Sequence, residues 1–334
     1  MKYAKIIGVG HYVPDNVVTN HDLVKMMDTS DEWIQERSGI IERRWIKEPY
    51  EQSTAHMGFE AAKMAIQRAG ITNDEIELIV FATLSSDYYF PGPGVKIQQL
   101  LGIGNVGAID VRAQCSGFIY AISVADQFVR TGMYKTVLVV GSETHSIGLD
   151  KTTRGRTTAV LFGDGAGAVV LRASETPGVG ILSTHLHSQG EHAEKLFLKA
   201  PGTGRDGIIY PGIEQDVDNI YPVMDGQFVF KNAVVRMEEA VKEALNANGY
   251  KVSDLDMVLA HQANLRISQF VQRKLGLPDD KMYSNIQKYG NTTSATLPIL
   301  MSELWEQGKI TEGKLYALVA FGSGFTWASA LIKW

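Results

Sequence analysis

The chain has 334 residues, 45% of them hydrophobic, a formal net charge of −5 and a single cysteine. That length points to about two domains, and the acidic balance argues against a general nucleic-acid binder. One cysteine excludes an intramolecular disulfide and fits a reducing, cytoplasmic setting, and no stretch reaches the length of a transmembrane helix, so no membrane insertion is expected.

Residues 4–10 open the chain as a strand: the run is apolar but short and broken by Gly8 and Gly10, which is unlike a secretion signal. Helices are predicted at 21–27 and 31–38, with Asp22 and Ser30 as caps. A helix at 54–69, a strand at 77–82, a helix at 93–101 and a strand at 107–111 follow. A helix at 116–131 and strands at 136–141 and 166–171 complete the first half. Alternating strands and helices favour an α/β fold with a largely parallel sheet covered by helices. The segment 118–129 carries apolar groups on nearly every face, including Phe118, Ile119, Ile122, Phe128 and Val129. Such a helix belongs in an interior between two sheets, which gives five layers: helices, sheet, buried helices, sheet, helices.

The second half repeats the first. Residues 62–83 reappear at a shift of 179 as 241–262, and 136–142 match 315–323, each an apolar strand ending in Gly-Ser. A repeat fixes the architecture, so the chain divides into halves at 1–174 and 175–334 that pack tightly without a linker. The run 107–111 leads to Cys115 and a helix ending at Gly132; 282–286 leads to Asn291 and a helix ending at Gly308. Both pairs are offset by 176, so Cys115 and Asn291 are expected at equivalent helix entrances.

At a helix N-terminus the unpaired N–H groups concentrate partial positive charge and lower a thiol's pKa, which makes Cys115 a candidate nucleophile. His261 ends the apolar run 257–260 and is followed by Gln262 and Asn264; in open parallel sheets, ligands bind at the C-terminal ends of strands. The glycine-rich segment 163–167 precedes a strand and lacks the following Lys-Ser/Thr of a phosphate loop, so a tight turn beneath the site is expected there. His185, His187 and His192 lack the spacing of a zinc hydrolase, and alternate strand positions account for the first two. No metal is expected.

Cys115 within Ala113-Gln114-Cys115-Ser116-Gly117-Phe118, the run from His261 to Arg266, Tyr289-Gly290-Asn291-Thr292 and the tail from Ala320 to Trp327 together resemble beta-ketoacyl-acyl-carrier-protein synthase III. The similarity extends from Ile6-Ile7-Gly8-Val9-Gly10 through Thr29-Ser30-Asp31-Glu32-Trp33-Ile34 to the last strand. It implies the thiolase-like, duplicated five-layered α-β-α-β-α fold and a homodimer. It also implies a reaction: Cys115 takes the acyl group from an acyl-CoA, then His261 and Asn291 stabilise the enolate formed as malonyl-acyl-carrier protein loses carbon dioxide. Backbone N–H groups of Cys115 and Ser323 would hold the tetrahedral oxyanion. The only small molecules required are substrates, with no separate cofactor.

The resemblance further assigns coenzyme A contacts to Trp33, Arg37, Arg154 and Asn264. It assigns the acyl pocket to Phe90, reaching across a dimer interface, and a basic carrier-protein patch to Lys231, Arg266, Arg273 and Lys274. Three departures stand out: Ser323 where relatives commonly have glycine, Gln227 where they have asparagine, and a long stretch from Glu191 to Met224 with the composition of a lid-like loop. Primer length and branching stay open. Also open are a related condensing enzyme of secondary metabolism, a Cys-His-Asn thioester hydrolase, and a carrier-protein scaffold without turnover.

Overall fold

The computed structural model describes residues 2–49, 51–203 and 219–334. The chain begins with β1 (Tyr3–Tyr12), then β2 (Val17–Thr19), α1 (Asn20–Val24), α2 (Asp31–Ser38) and β3 (Glu42–Arg44). Ser30 caps α2, accepting from Trp33 N at 3.1 Å. Asp22 is not the cap of α1: Thr19 is, and Asp22 is the third helical residue, whose carboxylate accepts from Thr19 N at 3.1 Å in a reciprocal capping box. Then follow α3 (Thr54–Ala69), β4 (Leu78–Ala82), α4 (Pro93–Leu101), β5 (Gly107–Val111), α5 (Gly117–Arg130), β6 (Thr136–Glu143), α6 (Arg156–Ala159) and β7 (Gly165–Ser174). The remainder comprises β8 (Gly180–Ser188), β9 (Leu196–Phe197), β10 (Val223–Met224), α7 (Gly226–Ala247), β11 (Met257–Ala260), α8 (Leu265–Leu275), α9 (Ile286–Tyr289), α10 (Thr296–Glu306), β12 (Leu315–Gly322) and β13 (Thr326–Lys333).

The first sheet runs β1-β7-β6-β4-β5 and the second β11-β12-β13-β8. Each is mixed, not largely parallel: β4 pairs parallel with β5 and β6, but β6-β7 and β1-β7 are antiparallel, and β12-β13 and β13-β8 repeat that pattern beside parallel β11-β12. Where β5 closes the first sheet, the second has one bridge, Met282 to Val258.

One apolar core joins the inner faces of both sheets through α5 and α10, with Phe118, Ile122, Leu300 and Leu304 all buried between Val80 and Val139 on one side and Leu318 and Ala330 on the other. Helices α3 and α4 cover the outer face of the first sheet, and α7 and α8 that of the second. These are the five layers of a thiolase-like fold. Fully burying a side chain such as Phe118 contributes roughly 1.5–3 kcal/mol, so an all-apolar helix is stable only in this central layer.

The internal symmetry differs from the expected one at its most important point. Gln114 and Thr293 are the described non-glycine residues with positive φ, 45° and 51°, and lie 179 positions apart. Each opens a short 3-10 turn, Gln114–Ser116 and Thr293–Ala295, leading into α5 and α10. The backbone counterpart of Cys115 is therefore Ser294; Asn291 lies three residues earlier, before the turn. The 176 offset arose because α10 has 11 residues and α5 has 14, which moves the terminal glycine by the same three positions.

Candidate active site

Cys115 sits in the 3-10 turn just ahead of α5 and is 8% exposed. Against it lies the end of β12: a Cβ placed on Gly322 would be 2.7 Å from Cys115 Cβ and 3.1 Å from its Sγ. Only a glycine allows that approach. At the symmetry-related place the pair is Ser294 and Glu143, with Ser294 Oγ donating to Glu143 Oε1 at 2.7 Å. Around Ser294 the space is filled by a carboxylate from the first half, whereas around Cys115 the glycine of the second half leaves it to the thiol.

The Cys115 turn is tied to the turn after β12 through Ser116 Oγ and Thr326 Oγ1, 2.8 Å apart, and Thr326 Oγ1 donates to Ser323 O at 3.0 Å. The backbone N–H groups of Cys115 and Ser323 both point hydrogen bonds at the sulfur and favour its thiolate. Burial outweighs them, and with the nearby Glu143 carboxylate it pushes the thiol up to about 12. The lowered pKa expected of a helix entrance is therefore not found: desolvation of the charged form exceeds the partial charge of two N–H dipoles. Ser323 also uses its side chain, Oγ donating to Leu196 O in β9.

His261 follows β11, and its N–H continues the ladder to Val319 O at 2.8 Å. It is 2% exposed, and burial drops its pKa to about 3, so the ring is neutral. Nδ1 lies 2.6 Å from Thr296 Oγ1. Nε2 is buried and has no partner among the described residues. A buried ring nitrogen left unmet is a binding position, since burying it unsatisfied costs roughly 1–3 kcal/mol.

Asn291 is held from both sides of its backbone, its N–H donating to Leu161 O at 2.8 Å and its carbonyl accepting from Gly163 N at 3.0 Å. The glycine-rich segment is thus a turn packed directly under this residue, and a Cβ on Gly163 would be 2.3 Å from Tyr289 O. Asn291 Oδ1 accepts from Thr293 N at 2.8 Å. That contact settles the amide's orientation and leaves Nδ2 as the donor. The next polar neighbour of His261 is used otherwise: Gln262 accepts from Ser284 Oγ at 2.6 Å and donates to Ala260 O at 2.7 Å.

Other expected site residues separate into two groups. Trp33 is half-buried, with the Arg37 guanidinium 4.6 Å and that of Arg156 5.4 Å from its ring centroid. Arg156 was missed from sequence. Arg154, predicted there, bonds Asp150 Oδ2 at 2.6 Å and lies 5.2 Å over Tyr221. Asn264 caps α8 through Arg266 N at 2.9 Å and donates to Arg37 O at 2.8 Å, so it anchors the Arg37 segment. Arg266 and Arg273 lie over Phe230 and Phe270 at 5.7 and 4.3 Å, Lys274 pairs with Glu238 at 3.3 Å, and Lys231 is exposed on α7. Phe90 is 81% exposed beside exposed Tyr88 and Tyr89, and so lines no pocket of its own chain.

In the stretch 191–224, β9 pairs with β10, and residues 204–218 lie outside the described residues. Gln227 is in the first turn of α7. His185 and His187 share Glu243, at 3.3 and 2.6 Å, and among the described residues no group of three or more His, Cys, Asp or Glu side chains is arranged to hold a metal. No helix among them is long and apolar enough to cross a membrane.

Two family models match the chain, "3-Oxoacyl-[acyl-carrier-protein (ACP)] synthase III" over residues 109–190 and its C-terminal counterpart over 245–334. Beta-ketoacyl-[acyl-carrier-protein] synthase III 1 of Vibrio vulnificus is 45% identical over 331 residues, 99% of each chain. Among solved structures, the 3-oxoacyl-[acyl-carrier-protein] synthase III of Aquifex aeolicus aligns with a TM-score of 0.90 at 41% identity over 99% of this chain and 100% of its own. That of Thermus thermophilus aligns at 0.91 and 36%, over 99% of both. These matches establish that the chain belongs to the beta-ketoacyl-acyl-carrier-protein synthase III family.

Proposed function

We propose that this chain catalyses the decarboxylating Claisen condensation of an acyl-CoA primer with malonyl-acyl-carrier protein, producing the beta-ketoacyl-acyl-carrier protein that initiates fatty acid synthesis in the cytoplasm. The observation that carries the reading is a set of unspent donors: two backbone N–H groups at the Cys115 sulfur, the Asn291 amide turned by Thr293, and the unpartnered His261 Nε2. None of these donors is a carboxylate, and the nearby Glu143 carboxyl is occupied by the hydroxyls of Thr83, Ser85 and Ser294, which suits a site where negative charge develops on oxygen.

In the first half-reaction the Cys115 thiol gives up its proton as sulfur attacks the thioester carbonyl; the C–S bond to coenzyme A breaks, and coenzyme A leaves as its thiol. The backbone N–H groups of Cys115 and Ser323 hold the intermediate oxyanion. In the second, malonyl-acyl-carrier protein loses carbon dioxide, and the electron pair of the broken bond is delocalised onto the thioester oxygen. His261 and Asn291 donate hydrogen bonds to that oxygen. The enolate carbon attacks the acyl-cysteine, the C–S bond to the acyl group breaks, and the sulfur departs as a thiolate that takes a proton from solvent to regenerate the Cys115 thiol. Decarboxylation removes no proton, so a neutral histidine serves.

Trp33 with the guanidinium groups of Arg37 and Arg156 forms the nucleotide end of the coenzyme A site, Arg154 supplies a further charge for its phosphates, and Asn264 positions Arg37. Lys231, Arg266, Arg273 and Lys274 on α7 and α8 form the basic face for the acidic carrier protein. The enzyme works as a homodimer: β5 is a sheet edge with one neighbour, a template for a second copy, and Phe90 reaches from that edge region into the partner's acyl pocket. Intact-protein mass spectrometry with acyl-CoAs from acetyl to long-chain, followed by malonyl-acyl-carrier protein, tests the scheme. A Cys115-dependent adduct consumed as beta-ketoacyl-acyl-carrier protein forms is expected. An adduct lost to water alone would make the protein a hydrolase, and no adduct with any acyl-CoA would refute the primer class.

A further inference from the structure

The proposed role of His261 imposes a condition that its residue type does not meet by itself. A neutral imidazole has one N–H and one bare nitrogen. Donation from Nε2 to an enolate oxygen requires the proton on Nε2; the other tautomer would turn a lone pair toward the developing negative charge. What decides the tautomer is the partner of the second nitrogen.

That partner is the Thr296 hydroxyl, 2.6 Å from Nδ1. The hydroxyl has one proton and two acceptors in reach, since Thr293 O lies 3.0 Å away. Thr293 O, however, already accepts the backbone N–H of Thr296. A carbonyl oxygen can accept a second bond, but the contact to the ring, at 2.6 Å against 3.0 Å, is the shorter and takes the proton. Thr296 is 3% exposed, so water does not compete for either atom.

We infer that Thr296 donates its hydroxyl proton to His261 Nδ1 and thereby holds the ring as the Nε2–H tautomer, making Thr296 the positioning residue that turns a neutral histidine into a hydrogen-bond donor. This rests on the reading of His261 as donor to the malonyl thioester and deepens it. Thr296 touches no substrate atom; it acts through His261. Its place as the first residue of α10, directly after the turn opened by Thr293, aligns the hydroxyl with the end of β11. The same turn orients Asn291, so one short segment prepares both donors.

The test combines a spectrum with rates. In protein labelled with ring-15N histidine, long-range proton–nitrogen correlation at neutral pH should show His261 with a protonated Nε2 and a bare Nδ1, assigned by its absence in His261→Gln. Thr296→Val should lose that preference and slow condensation by about tenfold or more, the order expected when an oxyanion donor is weakened, with Cys115 acylation little changed. Thr296→Ser should retain both the tautomer and the rate. A protonated Nδ1 in the wild type, or an unaltered spectrum and condensation rate in Thr296→Val, would overturn the inference. The wild-type spectrum stands even if Thr296→Val misfolds. Condensation insensitive to His261→Ala, with the Nε2–H tautomer present, would instead refute the catalytic reading of His261 and leave the hold of Thr296 on the ring intact.

Discussion

Acidification should destabilise the folded chain through His261, by an amount its burial sets. In the unfolded chain this histidine titrates near its ordinary 6.5, while in the fold burial holds it down to about 3. As pH falls below 6.5 the unfolded state binds a proton that the native state refuses, so stability present at neutral pH is lost on the way down toward pH 3. Between pH 7 and pH 5 the native ring stays neutral, and the 1.5 units below 6.5 correspond to about 2 kcal/mol from this one group. The perturbation is His261→Asn, which removes the titration but keeps a polar side chain. Urea unfolding of both proteins at pH 7 and pH 5 yields the pH-dependent loss within each, so any general destabilisation by the substitution cancels. The wild type should lose about 2 kcal/mol more than the variant. Equal losses would show that the native ring titrates near 6.5 as the unfolded one does, and the claim that burial holds it down would fall. His145, lowered by burial to about 4, acts in the same direction in both proteins.

Gly322→Ala should reduce acyl-adduct formation on Cys115 on the order of 10²-fold, because the new Cβ would meet the nucleophile's own Cβ at 2.7 Å and must displace it. Gly104→Ala, at a glycine with open space around it, should leave the adduct unchanged; full acylation in Gly322→Ala would disprove the close approach. Alkylation of the free enzyme by iodoacetamide should accelerate about tenfold per pH unit up to pH 10, following a thiol held at about 12. A plateau below pH 8 would mean that the N–H groups at the sulfur prevail over burial. Arg156→Ala should raise KM for acyl-CoA by about two- to fivefold, the worth of a cation–aromatic contact at an exposed site, with kcat nearly constant. An unchanged KM would remove Arg156 from the nucleotide site.

Much of the scaffold was readable locally. The helices 54–69 and 93–101 match α3 and α4 end for end, because Ser53 and Gly92 precede them and Gly70 and Gly102 terminate them in left-handed conformations that need no distant partner. The almost wholly apolar segment after Cys115 announced a central helix, and the recurrence at 179 announced a second copy of the same layers. Cys115, His261 and Asn291 were visible as reactive or polar groups set at the ends of apolar runs.

What failed to be readable depends on contacts between distant segments. Strand direction within each sheet was misjudged, since β1-β7 and β8-β13 join segments far apart in the chain. The symmetry partner of Cys115 was misplaced by three residues, because helix length and turn position trade against each other in a linear comparison while a positive φ at Gln114 and Thr293 does not. That Arg156 lies over Trp33 while Arg154 bonds Asp150 is decided by the fold of the short segment leading into α6.

The sequence by itself determined the layers, the repeat, the candidate nucleophile and its two candidate helpers, all of which follow from local pattern and residue chemistry. Only the tertiary structure decided how those groups behave: that Cys115 is a thiol raised by burial, that Asn291 presents its amide N–H because Thr293 takes its oxygen, and that His261 leaves Nε2 free because Thr296 meets Nδ1. Desolvation and hydrogen-bond partnership belong to atoms brought together from separate parts of the chain, and neither exists until the sheets close around them.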